Sequence, residues 1–144
     1  MNSKCATDLQ QKQYLNQLLG DKQLVTTLLY RGSEHGWKYK HFHSHCDNRG
    51  PTISLLKIKD GDCIGGYTNA SWQSPESGLN IGNSDAFLFN LTRCRHFPSL
   101  KTGVEILCWV RYGPCFYGDV NKATSLNACE EPFNGVKKCN SFVN

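Results

Sequence analysis

Residues 28–52 read LLYRGSEHGWKYKHFHSHCDNRGPT, and this stretch places three histidines and a cysteine within six consecutive positions. Imidazole and thiolate groups are common zinc ligands, and a thiolate beside an imidazole is a common nucleophile. The same residue types also fill space inside folds. The geometry of this stretch therefore decides whether the chain is predicted to be an enzyme. The four residues are His41, His43, His45 and Cys46.

The spacing of apolar residues predicts a short helix over residues 38–46. Tyr39, Phe42 and Cys46 lie at i, i+3 and i+7, which is the spacing of one buried helix face. The sequence DNRGP at 47–51 ends this helix, because glycine and proline interrupt helical backbone.

On this helix the four candidate residues divide between two faces, because each residue advances by about 100°. His41 and His45 share one face and are expected to face solvent, whereas His43 and Cys46 share the buried face. One ion cannot be reached by all four, and zinc normally takes three or four protein ligands. No C-x-x-C pair elsewhere supplies the rest, so a metal site is disfavoured.

A catalytic pair of His43 and Cys46 is the alternative interpretation, since residues at i and i+3 can touch. Apolar neighbours would raise the pKa of such a thiol and weaken it as a nucleophile. The favoured interpretation is therefore a hydrogen-bonded buried histidine beside a space-filling cysteine. Asp60 and Asp62 flank a turn, where turn formation is a better explanation than acid–base chemistry. No catalytic, cofactor-binding or metal-binding residue is predicted.

The composition indicates one ordinary globular domain. The chain has 144 residues, 39% of them hydrophobic and 19% charged, with a net charge of +4. This mild excess does not suggest nucleic-acid binding. No apolar run approaches the roughly 20 residues of a membrane span, and residues 1–13 lack the apolar core of a signal peptide. The expected location is the cytoplasm, with a cilium or the cytoskeleton as the alternative.

Eight cysteines allow either disulfides or reduced thiols. Several lie inside apolar segments, such as Cys63 beside Ile64 and Cys108 between Leu107 and Trp109. Buried free thiols behave as small hydrophobic groups, so reduced cysteines are favoured.

Local patterns predict few helices and several strands. A helix is expected over 8–19, with Thr7 and Gln10 forming its capping box. Asp60-Gly61 indicates a tight hairpin turn, and Gly65-Gly66 suggests a bulge or a close backbone approach. The tail from Gly113 onward is expected to be mostly loops. The predicted strands cover 24–30, 53–58, 63–68, 85–92 and 104–110.

These elements favour an α+β, mainly β fold, an antiparallel two-sheet sandwich flanked by short helices. We divide the chain into an N-terminal helix and lead-in over 1–23 and a single domain over 24–144.

Four segments follow one another along the chain: LLYRGSEHGW at 28–37, FHSHCDNRGPTISLLK at 42–57, IGGYTNASW at 64–72 and DAFLFNL at 85–91. In their order and spacing they resemble the TLDc domain of oxidation-resistance proteins. The resemblance implies an antiparallel β-sandwich with flanking helices and no established catalytic centre. It also implies that His43 and Cys46 belong to the fold signature, while His41 and His45 are additional histidines of this chain.

This chain departs from the family pattern at two kinds of position. Trp37 and Ile64 replace residues usually written as phenylalanine, and both are apolar substitutions. The final stretch NACEEPFNGVKKCNSFVN, at 127–144, looks like a loop region where the family has a closing strand. The C-terminal part of the domain is therefore expected to be incomplete, leaving an open sheet edge for a partner or another segment to cover.

The predicted function is a non-catalytic protein-binding module. The resemblance implies a role in the oxidative stress response, in binding the vacuolar proton pump (V-ATPase), or in both. The alternative is an architectural subunit of a large ciliary or cytoskeletal assembly. A thiol-redox or metal-binding enzyme is the third hypothesis. The partner is expected to be protein, with neither nucleic-acid binding nor membrane insertion, and its contact residues are not predicted.

Overall fold

The computed structural model describes residues 8–20, 25–82, 85–98, 104–117, 125–127 and 141–143. Two antiparallel sheets and a few short helices make up these residues, which confirms the predicted mainly β, α+β class. The elements are α1 (Leu9–Leu18), β1 (Tyr30–Arg31), α2 (Gly32–His35), α3 (Tyr39–Cys46), β2 (Thr52–Lys57), β3 (Cys63–Thr68), β4 (Leu79–Gly82), β5 (Phe87–Asn90), β6 (Arg95–Pro98), β7 (Val104–Cys108), β8 (Cys115–Tyr117), β9 (Ser125–Asn127) and β10 (Ser141–Val143).

The strands form one sheet of six and one of four. The six-stranded sheet has the order β1-β10-β2-β3-β5-β6, and the four-stranded sheet has the order β4-β7-β8-β9. Neighbouring strands are antiparallel throughout both sheets.

The six-stranded sheet is buried on both faces, because side chains alternate along each strand. On β2, Leu56 packs in the core that faces the four-stranded sheet, together with Ile106 and Phe116. The preceding residue, Leu55, packs in a second core with Leu15 of α1. Helix α1 therefore covers the outer face of the sandwich.

The helix over 38–46 and the β2–β3 hairpin are confirmed, as Tyr39–Cys46 and as paired strands joined by a tight turn. The turn places Gly61 at φ +89°, as the Asp-Gly prediction requires. Register runs unbroken through Gly65 and Gly66. The bulge alternative is therefore wrong. The close-approach alternative is correct, because neighbouring atoms leave no room for a Cβ at either glycine.

The first helix is confirmed, but its predicted capping box is not. The side chain of Asp8 accepts a hydrogen bond from the backbone N–H of Gln10 at 3.2 Å, which makes Asp8 the N-cap. Thr7 lies outside the described residues. Asp8 and Thr7 are adjacent residues with similar capping preference, so sequence alone does not separate them.

The predicted strand over 24–30 is wrong for residues 25–29, which have no regular structure. Only Tyr30–Arg31 forms a strand. Val25 is 94% exposed, so its strand preference is not supported by packing. Strand preference reflects packing on a half-buried surface and has little effect without a neighbouring strand.

The predicted loop character of the tail from Gly113 is also wrong for its described residues, 113–117, 125–127 and 141–143, while the rest of the tail lies outside the described residues. Three segments there form strands β8, β9 and β10. Strand β10 pairs with β1 on one side and β2 on the other. Three residues are too few to show an alternating pattern, so only the pairing partner identifies them. The expectation that the C-terminal part is incomplete relative to the family stays a prediction.

Local sequence patterns predicted the remaining strands with wrong bounds or did not predict them. The strands predicted over 85–92 and 104–110 are shorter, at Phe87–Asn90 and Val104–Cys108. Helix α2 and strands β4 and β6 were not predicted. Both of these strands end a sheet and are largely exposed, so they lack the alternation that marks a half-buried strand. Across the described ranges, no helix has the length and apolar character needed to cross a bilayer.

Candidate functional site

The buried face of α3 has the composition that the sequence predicts. Phe42, His43 and Cys46 are buried, at 1%, 7% and 0% exposure. Tyr39 is half-buried at the start of the helix. This face lies in the core between the two sheets, so the family signature residues His43 and Cys46 are interior positions.

Both ring nitrogens of His43 are hydrogen-bonded. Nδ1 lies 2.7 Å from Oδ1 of Asp47, and Nε2 lies 2.9 Å from the backbone carbonyl of Trp109. A carboxylate and a carbonyl only accept hydrogen bonds, so each ring nitrogen faces an acceptor. Both nitrogens are therefore engaged by partners other than Cys46. His43 instead fastens α3 to the end of β7.

The thiol of Cys46 is held in its neutral form. Burial raises its pKa to about 12, and the nearby carboxylate of Asp47 acts in the same direction. Burial also raises the pKa of Cys108, which packs in the same core. A nucleophilic cysteine needs the opposite shift. The interpretation of a hydrogen-bonded histidine beside a space-filling cysteine is therefore confirmed.

Thiol labelling at pH 8 checks this assignment. At that pH the thiolate fraction of Cys46 is on the order of a thousandfold lower than that of an ordinary cysteine. In the folded protein, iodoacetamide should modify the exposed Cys94 well before Cys46, which should react at the background rate. Peptide mass spectrometry over a time course measures both sites, with urea-unfolded protein as the control in which they react alike. Equal rates in the folded protein would contradict the burial argument.

The prediction that His41 and His45 face solvent is wrong, since both are half-buried. The ring of His45 stacks on His35, with centroids 4.4 Å apart, and lies 6.0 Å from the ring of Tyr30. The Nδ1 of His45 lies 2.7 Å from the carbonyl of His41. Helix α2, which sequence patterns did not predict, brings His35 to this position. His45, one of the two extra histidines, therefore packs on the signature residue Tyr30 together with His35.

The described part of the chain contains no group of three or more His, Cys, Asp or Glu side chains placed to hold a metal ion. The rings of His35 and His45 are nearly parallel, 26° apart, and their nitrogens do not converge. His35 also accepts a hydrogen bond through Nδ1 from the backbone N–H of Arg31, at 2.9 Å.

Trp72 lies at the centre of the signature region, although the sequence indicated only that it belongs to the family motif. It is fully buried, and its ring meets Phe42 and Phe116 edge to face, with centroids 5.6 Å and 5.4 Å away. Its indole N–H donates to the hydroxyl of Thr52 at 2.8 Å. Its carbonyl accepts from the N–H of Asn48 at 3.0 Å. Trp72 thus joins α3, β2 and β8.

Asp62 has a structural role at the turn, as its position predicts. Its carboxylate accepts hydrogen bonds from the Asn90 amide at 2.9 Å and from Nε of Arg93 at 2.6 Å. These bonds lower the pKa of Asp62 below its ordinary value, and the bond from the Asn90 amide has the largest effect. They tie the β2–β3 hairpin to the turn after β5. Asp60 is exposed.

This lowered pKa predicts how stability responds to acid. The fold favours the ionised carboxylate, so the stabilisation is present above the unfolded-state pKa of about 3.9 and is lost as pH falls through the lower folded-state value. Asp62→Asn should therefore show a smaller loss of stability than the wild type between pH 5 and pH 2. Urea unfolding across that range measures it, with Asp60→Asn as the exposed control. Identical acid profiles for Asp62→Asn and the wild type would contradict the prediction.

A comparison with protein-family profiles matches residues 1–127 to the TLDc domain. Among curated proteins, the chain is 33% identical over 73 residues to MTOR-associated protein MEAK7 of Gallus gallus, covering 51% of this chain and 14% of that protein. It is 29% identical over 99 residues to MEAK7 of Danio rerio, covering 68% and 20%.

The chain is also 29% identical over 68 residues to TBC1 domain family member 24 of Xenopus tropicalis, covering 44% of this chain and 12% of that protein. The match therefore spans only a fifth or less of each of these relatives. The similarity describes a shared domain and does not extend to the relatives' other regions.

Proposed function

The chain belongs to the TLDc domain family, and from this premise we propose that it is a non-catalytic protein-binding module of the cytoplasm. Its proposed role is in the oxidative stress response, through binding to subunits of the vacuolar proton pump (V-ATPase). The proposed pump partner comes from the family resemblance.

One observation carries the non-catalytic part of the proposal: the signature residues are engaged inside the fold. His43 has acceptors at both nitrogens, and the thiol of Cys46 is fully buried with its pKa raised to about 12. Nucleophilic catalysis needs an ionised group within reach of a free base and of substrate. The buried signature of the family therefore supports a structural scaffold, so we assign the function to the protein surface.

The fold also supports a binding role because hydrogen bonds fix loop and helix segments to the sheets. Trp72 and His43 connect the loop and helix segments to the sheets by hydrogen bonds at 2.8 Å and 2.9 Å. A surface held in this way loses little conformational entropy when it binds a partner.

Affinity purification from native cells, followed by mass spectrometry, tests the proposed function. The bait is the tagged wild-type chain. The matched control is the same tagged chain after denaturation, which keeps the sequence without presenting the native surface. We expect pump subunits with the native bait and not with the denatured one. Failure to enrich any pump subunit over this control would contradict the proposed role.

The same experiment separates the alternatives. Recovery of axonemal or cytoskeletal proteins in place of pump subunits would favour the architectural role. One relative is named for its association with MTOR, so recovery of MTOR would favour that association as the role of this chain instead. Selective, fast labelling of a buried thiol would reopen the redox-enzyme hypothesis, because a catalytic thiolate reacts ahead of ordinary cysteines.

A further inference from the structure

Four strands lie at the ends of the two sheets, and they differ in how well they could accept another strand. Strand β1 has two residues, and α2 closes over it through the bond from the Arg31 N–H to His35. Strand β4 carries a register shift between Ile81 and Gly82, which interrupts its edge. Strand β9 has three residues. Strand β6 keeps four residues in unbroken register with β5.

An exposed, basic stretch of chain, formed by the turn after β5 and the first two residues of β6, leads into this strand. Every residue from Thr92 to His96 is exposed, and the stretch contains Arg93 and Arg95 but no acidic residue. Arg95 forms no ion pair with any described residue. Arg93 contacts Asp62 through Nε, yet its side chain remains 61% exposed. Among the described strands, only β5 pairs with β6, and cationic groups lie beside its outer edge.

We propose that the β6 edge binds an extended, acidic segment of a protein partner as an added strand. This inference rests on the proposed protein-binding function and specifies the chemistry of the partner. An edge strand presents unpaired backbone N–H and C=O groups, and an extended peptide satisfies them by strand addition. The charges then select the occupant, because a segment rich in Asp or Glu is attracted to this edge.

The same charges argue against a second copy of this chain as the occupant. Pairing two β6 edges would bring Arg95 of one copy near the basic stretch of the other, and like charges on adjacent strands are destabilising. Pro98, at the end of the strand, has no N–H and limits the number of residues that can pair. A short hetero-pairing with an acidic segment avoids the charge conflict.

The side-chain directions specify the acidic pattern. Arg95 lies on the same sheet face as Phe97, which packs toward the inter-sheet core. His96 points to the opposite face, where its ring meets Phe87 edge to face at 5.0 Å. An incoming strand would place an acidic side chain beside Arg95, and residues two positions away would share that face.

A binding assay with defined peptides tests the proposal. The probe is a fluorescein-labelled eight-residue peptide of alternating Glu and Thr, titrated with the full chain and followed by fluorescence anisotropy. Its matched control carries Lys in place of Glu. We expect saturable binding of the Glu peptide that weakens with added salt, and no binding of the Lys peptide. Equal binding of both peptides, or of neither, would overturn the proposal.

Two further comparisons separate strand addition from simple charge attraction. Arg95→Glu should weaken the affinity for the Glu peptide about tenfold. Arg49→Glu, which reverses the charge at an exposed position after α3, should change that affinity by less than about twofold. A Glu peptide N-methylated at alternate residues keeps its charge but loses backbone donors, so it should not bind. Undiminished binding of that peptide would overturn strand addition. If Arg95→Glu fails to fold, the three peptides decide the question alone.

Failure of this inference is distinguishable from failure of the proposed function. Pump subunits recovered equally by wild type and Arg95→Glu would leave the function standing and overturn the β6 edge as its interface. Loss of the subunits with Arg95→Glu, but not with Arg49→Glu, would support both.

Discussion

Replacing Trp72 with alanine is expected to lower the free energy of unfolding by about 3–5 kcal/mol, the usual cost of removing a buried large aromatic side chain. The indole is 0% exposed and packs between Phe42 and Phe116, so its removal leaves a cavity bounded by rings from α3 and β8. It also leaves the Thr52 hydroxyl without its donor. For a domain with about 5–15 kcal/mol of total stability, this loss is large.

Thermal and urea unfolding measure the effect of Trp72→Ala. The melting temperature should fall by roughly 10–15 °C for a chain of this size. The exposed substitution Val25→Ala is the matched control, because Val25 is 94% exposed and its truncation creates no cavity. A change below about 1 kcal/mol for Trp72→Ala would show that the aromatic cluster does not hold the sheets together.

Two milder substitutions separate the hydrogen bond of Trp72 from its packing. Thr52→Val preserves shape but leaves the indole N–H buried without an acceptor, which should cost about 1–3 kcal/mol. Trp72→Phe removes the donor and part of the volume. The double variant should cost less than the sum, because the second change then removes a group whose partner has already gone.

Substituting Gly65 with alanine is expected to cost about 3 kcal/mol, an overpacking effect at the upper end of the usual range. A Cβ at this position would lie 2.2 Å from the backbone carbonyl of Ser54 and 2.7 Å from the ring of Phe89. The carbonyl belongs to the neighbouring strand β2, so relief requires the sheet itself to move. Urea unfolding of Gly65→Ala gives the cost directly.

Gly66 provides the matched comparison, because its crowding comes from a side chain. A Cβ there would meet only the ring of Phe116 among its three nearest neighbours, at 2.8 Å. Gly66→Ala should cost about 1–3 kcal/mol, and adding Phe116→Leu should recover part of the loss. Adding Phe89→Leu to Gly65→Ala should recover a much smaller part of the lost stability, because the Ser54 carbonyl remains. Equal rescue at both positions would contradict the assignment of the first clash to backbone.

Gly61→Asn is the control for a glycine in open space. Nothing would contact a Cβ at Gly61, and its φ of +89° is a conformation that asparagine tolerates better than other residues. Its cost should therefore be small beside that of Gly65→Ala. A comparable loss of stability at Gly61 would contradict the crowding argument, because no neighbouring atom lies within 4 Å of a Cβ there.

The part of the fold that sequence could predict consists of elements with a clear period. Helix α3 was predicted to within one residue, because Tyr39, Phe42 and Cys46 mark a single buried face over two turns. The β2–β3 hairpin was predicted from Asp60-Gly61, since few residues adopt the backbone angles of a tight turn. The roles of His43 and Cys46 followed from the same helical geometry.

Elements without a local period could not be predicted, because their structure depends on neighbours distant in the chain. Strand β10 is a three-residue segment that becomes a strand by pairing with β1 and β2. Residues 25–29 have strand-forming side chains but no regular structure. The positions of His41 and His45 depended on α2, whose four residues give no periodic signal.

By itself, the sequence determined the family, the mainly β class, the signature helix and the burial of His43 and Cys46, because each is encoded in the order and spacing of nearby residues. Tertiary structure alone decided what those residues contact. It placed the Trp109 carbonyl against His43 and Thr52 against Trp72, and it left the β6 edge with Arg95 exposed. The physical reason is that these contacts join residues far apart in sequence, and only the packing of the two sheets brings them together.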